Sequence, residues 1–377
     1  MHEEIGGQEM FRQYLAQNRV EYLLPEIEPY LDRFPNWFGL VSGESAHIYA
    51  VSPVLDDSRE RPEGNRRVKP SSELCPFAIN EYAGLELLRR VEMAFPDSTR
   101  YCGIKAPVEE IAGIGRWESV LGQLGYRAEA FMPSLFTING KDYTVADYAR
   151  NRPERLSEFP EGHRLISRVM EEVVWNNDVR ALLAEELAEH ARRISETHSI
   201  MRATVGDVEG IVSLLVDIFP IYGTCNLETT IPDMIGDRRS CAPLVYVARR
   251  RDGEVVGTCT IERYPFKYGE LTDVAVHQSE AGNGLGTTLC YLALSEARET
   301  YGLRHFFSDD VPSLGMNKIA KKLGAVYSGI HENQVRISTR ELSTQIGRVP
   351  QSTSLVVCTG STDFMEMDLT AGDQGSV

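Results

Sequence analysis

The stretch of this sequence best suited to chemistry is a strand that runs into a glycine-rich turn and then a helix. It reads Leu271-Thr272-Asp273-Val274-Ala275-Val276-His277-Gln278-Ser279-Glu280-Ala281-Gly282-Asn283-Gly284-Leu285-Gly286-Thr287-Thr288-Leu289. Gly282, Gly284 and Gly286 permit positive φ and close approach of the backbone to a bulky anion. The first N–H groups of the helix lack internal partners and, with the helix dipole, attract phosphate. The segment therefore fits a pyrophosphate cradle. A Walker loop would need a Lys after the last glycine, and none follows Gly286. A dinucleotide fingerprint is spaced G-x-G-x-x-G, whereas here it is G-x-G-x-G, and antiparallel-looking strands precede it. Two carboxylates, Glu270 and Asp273, sit on the strand that feeds the turn. Their odd spacing puts them on opposite faces of an unbroken strand, and only a bulge would bring both to one site. The plainer alternative is a structural turn, a solvated Glu270 and a buried, hydrogen-bonded Asp273.

The surrounding elements must hold this turn in place. Val208 to Phe219 is an amphipathic helix following Gly206-Asp207. Leu244 to Ala248 and Val255 to Ile261 flank Arg251-Asp252-Gly253, a hairpin signal. Thr287 to Tyr301 is a helix, His305 to Ser308 a strand, Leu314 to Leu323 a helix and Ala325 to Ile330 a strand. Phe364 to Leu369 reads as the closing strand. Ser338 to Ser361 reads as a hairpin excursion or a mobile loop. Upstream, residues 1–35 have helical spacing, Trp37 to Val41 and His47 to Val51 look like strands, and Asp56 to Ser72 is a polar loop. Tyr82 to Phe95 is a helix and Arg100 to Lys105 a strand. Another helix ends at Leu124-Gly125-Tyr126, with Gly125 as C-cap, before a strand over Arg127 to Phe136. Leu182, Leu183, Leu187 and Ala191 mark a helix between the halves. The expected organisation is an α/β domain over 1–160, a helical linker over 161–198 and a second α+β domain over 199–377.

The 377 residues carry a formal net charge of −16, which disfavours phosphate backbones and anionic lipid, so neither nucleic acid nor membrane is an expected partner. The seven cysteines are odd in number and form no C-x-x-C pair, a usage that suits a reducing cytoplasm. The opening MHEEIGGQEM lacks the basic and apolar regions of a signal peptide. His190, His198, His305 and His331 have no ligand spacing, so no metal is expected, and no Ser/His/Asp order stands out.

The strand–turn–helix resembles the coenzyme A site of the GNAT acetyltransferases, whose pattern is an acidic strand followed by [QR]-x-x-G-x-[GA] at a helix start. Ala281 takes the Gln/Arg place, and Gly284 and Gly286 the glycine places. Leu271-Thr272-Asp273, Ser313-Leu314-Gly315-Met316-Asn317 and Lys322-Leu323-Gly324-Ala325-Val326-Tyr327-Ser328-Gly329 are similar to blocks of the β-lysine N-acetyltransferase family. So are Leu124 to Pro133 and Phe364-Met365-Glu366-Met367. The resemblance implies a GNAT fold in the C-terminal half. Acetyl-CoA would lie against Val274, Val276, the turn from Ala281 to Thr287, and Asn317, which alternatively caps its helix. It implies an oxyanion held by N–H groups near Val276 and His277. Asp273, or else Glu270, would take the proton of an amine substrate, whose ammonium pKa is ~10.4. The family's thiolate-protonating Tyr aligns with Ala320, which leaves Tyr291 and Tyr327 as candidates. Leu124-Gly125-Tyr126 and Leu323-Gly324-Ala325 echo one another, so the N-terminal half reads as a degenerate second copy without a cradle. The implied activity is acetyl transfer from acetyl-CoA to the amino group of a small amino acid or related amine, with a homodimer left open. Rival readings are an acyl-CoA-binding sensor module, and a transferase for another acyl group.

Overall fold

The computed structural model describes residues 37–42, 45–51, 72–78, 100–109, 117–151, 179–218, 227–237, 242–310, 314–335 and 353–362. In chain order the elements are β1 (Trp37–Ser42), β2 (Ser45–Val51), β3 (Ser72–Ala78), β4 (Arg100–Pro107), α1 (Trp117–Gln123), β5 (Arg127–Ile138) and β6 (Lys141–Asn151). Then come α2 (Ala184–Ser195), β7 (His198–Arg202), α3 (Val208–Ile218), α4 (Leu227–Gly236), β8 (Leu244–Arg250), β9 (Val255–Tyr264) and β10 (Tyr268–Val276). The last are α5 (Leu285–Tyr301), β11 (His305–Asp310), α6 (Leu314–Lys322), β12 (Val326–Val335) and β13 (Thr353–Ser361). This is a mixed α+β fold with mixed strand pairing.

The described strands form one sheet in the order β1-β2-β3-β4-β6-β5-β12-β13-β11-β10-β9-β8-β7. The halves meet where β5 pairs antiparallel with β12, at Ala130 and Gly329. Outward from that seam the two sides run β5-β6-β4-β3-β2-β1 and β12-β13-β11-β10-β9-β8, with β7 added at the outer edge of the second. Each side has its parallel pair in the same place, β3 with β4 and β10 with β11. The echo in sequence sits at the same point of both sides. Gly125 (φ 80) and Gly324 (φ 77) close α1 and α6 in the left-handed conformation that glycine adopts without a Cβ penalty. Tyr126 N–H then donates to Leu121 O and Ala325 N–H to Ala320 O, both at 2.9 Å.

In the second half both sheet faces are covered, which is why Leu244 to Ala248 is buried throughout. On one face α5 sets Leu289, Ala293, Leu294 and Ala297 against Tyr246, Cys259, Ile261, Leu271 and Phe306. On the other, Ile211, Leu214 and Leu215 of α3 and Ile231 of α4 meet Val245, Val247 and Ala275. The helix expected to link the halves does more than bridge them. Leu187 and Ile194 of α2 belong to the core under α5, and Glu186 caps its first turn by accepting from Leu183 N–H at 2.8 Å.

Several assignments differ from the sequence reading. β3, β6, β7 and α4 were not anticipated. The strand beside β11 and β12 is β13, inside the stretch read as an excursion or loop. Its apolar centre Leu355-Val356-Val357-Cys358 is flanked by Ser and Thr, which read as loop residues although Thr is a strand former. Phe364 to Leu369, the expected helices over residues 1–35 and Tyr82 to Phe95, and the loop before Ser72 lie outside the described residues. The expected hairpin is present, with Gly253 at φ 92 in its turn.

The seam has a steric condition. A Cβ on Gly329 would lie 2.2 Å from Glu129 O and 2.5 Å from Ala130 Cα, too close for any backbone to tolerate unmoved. Gly329→Ala is expected to destabilise the chain by about 1–3 kcal/mol or to part the halves, as overpacking does. Gly315→Ala, where nothing lies within 4 Å, is the control and should be neutral or mildly stabilising. Urea titrations of the two variants read the difference.

Candidate active site

The site begins with one extra residue in β10. Thr272 pairs with Thr260 of β9, but the next pair is Ala275 with Thr258, so Asp273 and Val274 together face Cys259. Asp273 sits in this bulge at φ 52, a left-handed conformation that Asp tolerates better than most residues. The bulge shifts the alternation of the strand. Before it, Leu271 faces the core under α5, and after it Val274 and Val276 do so. Ala275 now faces α3, as Glu270 and Thr272 do by alternation from Leu271.

Beyond the bulge β10 and β11 part. Their parallel ladder ends at the pair Glu270 and Phe307, while β10 continues along β9 to Val276. His277 N–H donates to Val256 O at 2.9 Å, which makes Val276 and Gly257 a pair without mutual hydrogen bonds. The N–H of Val276 therefore points toward the β11 side, into the gap. This narrows one expectation: of the N–H groups near Val276 and His277, that of His277 is committed to β9, and that of Val276 faces the gap.

The strand leads into the turn through a short 3-10 segment, Gln278–Glu280. Polar contacts fix the turn from below. Arg250 reaches Glu280 at 2.7 Å, Asn283 Nδ2 donates to Glu280 Oε2 at 2.8 Å, and Leu285 N–H donates to Asn283 Oδ1 at 3.0 Å. Arg250, with Asn283 and His198, holds the Glu280 carboxyl below its usual range. Gly282 (φ 82) and Gly284 (φ 95) take conformations that side chains resist, and a Cβ on Gly286 would meet Ile319 Cδ1 at 2.8 Å. Ala281 is exposed, and its N–H is bound to Gln278 O. Among the described residues, no acceptor reaches the N–H groups of Gly282, Asn283, Gly284, Gly286 or Thr287. Five donors at the positive end of a 17-residue helix suit a phosphate chain, so the residues present fit the cofactor that the resemblance implies.

On the face of the sheet turned toward α3, Glu262 of β9 stands opposite Glu270 of β10 in register. The Tyr264 hydroxyl lies 3.1 Å from Glu270 Oε2 and 3.4 Å from Glu262 Oε2, and its single proton serves one carboxylate at a time. Tyr264 stacks on Tyr268 with centroids 5.2 Å apart, and Phe307 lies within 6.0 Å of Tyr268. The N-terminal half reaches this cluster. Phe136 of β5 lies 4.9 Å from Phe266 and 5.2 Å from Tyr268, and Lys105 Nζ sits 4.7 Å above the Phe307 ring while paired with Asp147 at 2.9 Å. Sequence reasoning found Glu270 but missed Glu262, Tyr264, Phe136 and Lys105. The alternation Thr260, Glu262, Tyr264 on a strand was the available signal for the first two. The others join only through tertiary folding.

The remaining candidates are dispersed. Asn317 lies fully buried within α6 and not at its start, so it is not a helix N-cap. Ala320 is buried in the core under α5. Tyr291 is half-buried on α5, and burial pushes its hydroxyl pKa up. Tyr327 is on β12, separated from β10 by β13 and β11, and 40% exposed. Among the described residues no three His, Cys, Asp or Glu side chains are grouped to hold a metal ion, and no helix is long and apolar enough to cross a membrane.

The bulge sets a stability test. Asp273→Gly should keep the strand geometry, because glycine accepts the left-handed conformation. Asp273→Val should cost roughly 1–3 kcal/mol, because a β-branched residue is strained there. Equal melting temperatures for the two variants would mean the bulge does not depend on this residue.

Comparison with known proteins gives three kinds of finding. Residues 209–324 match the Acetyltransferase (GNAT) family. No curated protein matches the chain. Similar solved structures include an IAA acetyltransferase from Bacillus cereus, at 18% identity and TM-score 0.33, covering 44% of this chain and 99% of that one. A spermidine N-acetyltransferase from Vibrio cholerae in complex with CoA and spermine has 14% identity and TM-score 0.36, covering 45% and 98%. A ribosomal-protein-alanine N-acetyltransferase from Brucella melitensis has 20% identity and TM-score 0.35, covering 43% and 99%. The matched segment contains the bulged strand, the glycine turn and α5, and residues 209–324 are thus an acetyltransferase domain of the GNAT fold.

Proposed function

We propose that the second half transfers an acetyl group from acetyl-CoA to the amino group of a small amino acid or related amine. The observation that carries this reading is the bulge in β10, with open N–H donors beyond it and a carboxylate pair before it. The acyl carrier supplies an activated thioester when bound. The turn from Ala281 to Thr287 would hold its pyrophosphate through backbone N–H groups. Val274 and Val276 line the gap that opens between β10 and β11, where an extended chain can add alongside the strand. Val276 N–H is the donor for the thioester oxygen.

The amine must lose a proton before its nitrogen can form the new C–N bond as the C–S bond breaks. Glu270 is the group we assign to that proton. It faces the same side as Glu262 and Tyr264, and two carboxylates in register beside aromatic rings attract an ammonium. Asp273 then shapes the bulge and stands second for the proton. The thiolate leaves without an assigned acid, since Ala320 carries no proton and Tyr327 is strands away. Ala281 and Ala320 support the rival reading, a module that binds acyl-CoA without turnover.

The N-terminal half we read as a degenerate copy of the same fold, a reading supported by the mirrored strand order and by the matching glycine caps. β3 occupies the place of β10, yet the sequence between Ala78 and Arg100, where β4 begins, has no G-x-G turn.

Thiol release from acetyl-CoA against a panel of diamino acids tests the activity, and absence of turnover with every amine would favour the binding module. Glu270→Gln should slow transfer by roughly 10²–10⁴-fold with little change in acetyl-CoA affinity. If a stable, fully active Gln variant results, the assignment moves to Asp273. Gly284→Val should weaken acetyl-CoA binding several-fold or more by crowding the turn. Titration calorimetry should find about one coenzyme A per chain, and two equivalent sites would overturn the degenerate reading.

A further inference from the structure

The glycine turn has a neighbour from outside the family-matched segment. The His190 ring of α2 lies against Gly284, and a Cβ built there would be 3.2 Å from His190 Nδ1. Arg193 Nη2 lies 3.4 Å from the same nitrogen. The start of α2 is fastened to the end of α6 by Leu182 N–H donating to Lys322 O at 2.9 Å, which brings the Lys322 charge to bear on His190.

Arg193 and Lys322 are cations, and the His190 ring joins them when it is protonated. Among the described residues neither Arg193 nor Lys322 has an ion-pair partner, and the first turn of α5 holds no acidic residue. The carboxylates facing His190 are Glu186 and Glu189 of its own helix. Both are engaged elsewhere, Glu186 with Arg180 at 2.5 Å and Glu189 with Arg192 at 2.7 Å. Burial first, then the charges of Arg193 and Lys322, push the His190 pKa below its ordinary value, against the weaker pull of Glu186 and Glu189. Like charges packed beside the positive end of a helix repel one another, and a bound anion removes that cost.

We propose that α2 supplies a cationic second wall to the phosphate turn, with His190, Arg193 and Lys322 holding the pyrophosphate of the acyl carrier. The inference rests on the cofactor reading above. It makes the helix between the halves part of the binding site. It also gives the site a pH response: a phosphate beside His190 favours the protonated ring, so binding takes up a proton and strengthens as pH falls through the His190 pKa.

Calorimetry on the full chain tests this with coenzyme A and with 3′-dephospho-coenzyme A, which keeps the pyrophosphate. His190→Gln, Arg193→Gln and Lys322→Gln should each weaken binding roughly three- to tenfold, by the same factor for both ligands. Near pH 6, repeating the titration in buffers of different ionisation enthalpy should show proton uptake in the parent chain and none in His190→Gln. A folded Arg193→Gln/Lys322→Gln chain that binds both ligands normally overturns the proposal, as does a loss confined to coenzyme A, which would assign the wall to the 3′-phosphate. Gly284→Val separates the two readings. If it abolishes binding while the charge variants bind normally, only the wall fails. If the parent chain binds neither ligand, or Gly284→Val binds as the parent does, the cofactor site itself is misplaced.

Discussion

One extra residue in β10 sets the geometry of everything around it. Without the bulge at Asp273, β10 would keep its ladder with β11 past Glu270, and the backbone of Val274 and Val276 would be bound on both sides. With it, the two strands part, the alternation shifts, and the strand ends over the glycine turn. A left-handed residue is the local cost of that shift, and the core packing of Leu271, Val274 and Val276 under α5 offsets it. The bulge also divides the site into two environments. Before it the strand presents Glu270 toward α3. Beyond it come backbone donors and the N-terminus of α5.

Charge is distributed according to that division. The side toward α3 gathers carboxylates and aromatic rings, Glu262, Glu270, Tyr264, Tyr268 and Phe307, where an ammonium is favoured by both the charges and the ring faces. The turn side gathers N–H groups, the His190 ring and the cations Arg193 and Lys322, where an anion is favoured. A chain of net charge −16 thus keeps a locally positive corner, because its nearby carboxylates Glu186 and Glu189 are bound to Arg180 and Arg192. Lys105 shows the same logic on the side toward α3. Its ammonium rests on the Phe307 ring and is neutralised by Asp147, so the N-terminal half adds a cation there without adding free charge.

The halves are joined by backbone as well as side chains. The β5–β12 pair runs the sheet through both, and only a glycine at 329 lets the strands approach. The tip of the β5–β6 hairpin, turned by Asn139 and Gly140 at positive φ, then reaches across to β11, where Asp142 lies 3.5 Å from His305 Nε2. Phe136 packs on Tyr268 as a consequence.

Much of the second half was legible in the sequence because its signals are local. Glycines at 282, 284 and 286 before an apolar helix, Asp252-Gly253 between two strands, and the caps at Gly125 and Gly324 each act within a few residues. β13 was hidden because Ser and Thr mark loops and strands alike, and only its two neighbours decide which. The sequence by itself determined that a glycine-rich turn of the kind that suits phosphate follows an acidic strand. It could not decide which carboxylate faces α3, since a single inserted residue inverts the alternation and no residue type announces it. Nor could it place Glu262 opposite Glu270, Phe136 on Tyr268 or His190 on Gly284. Those contacts join residues far apart in the chain, and only the closing of the sheet and the packing of α2 on α5 bring them within reach.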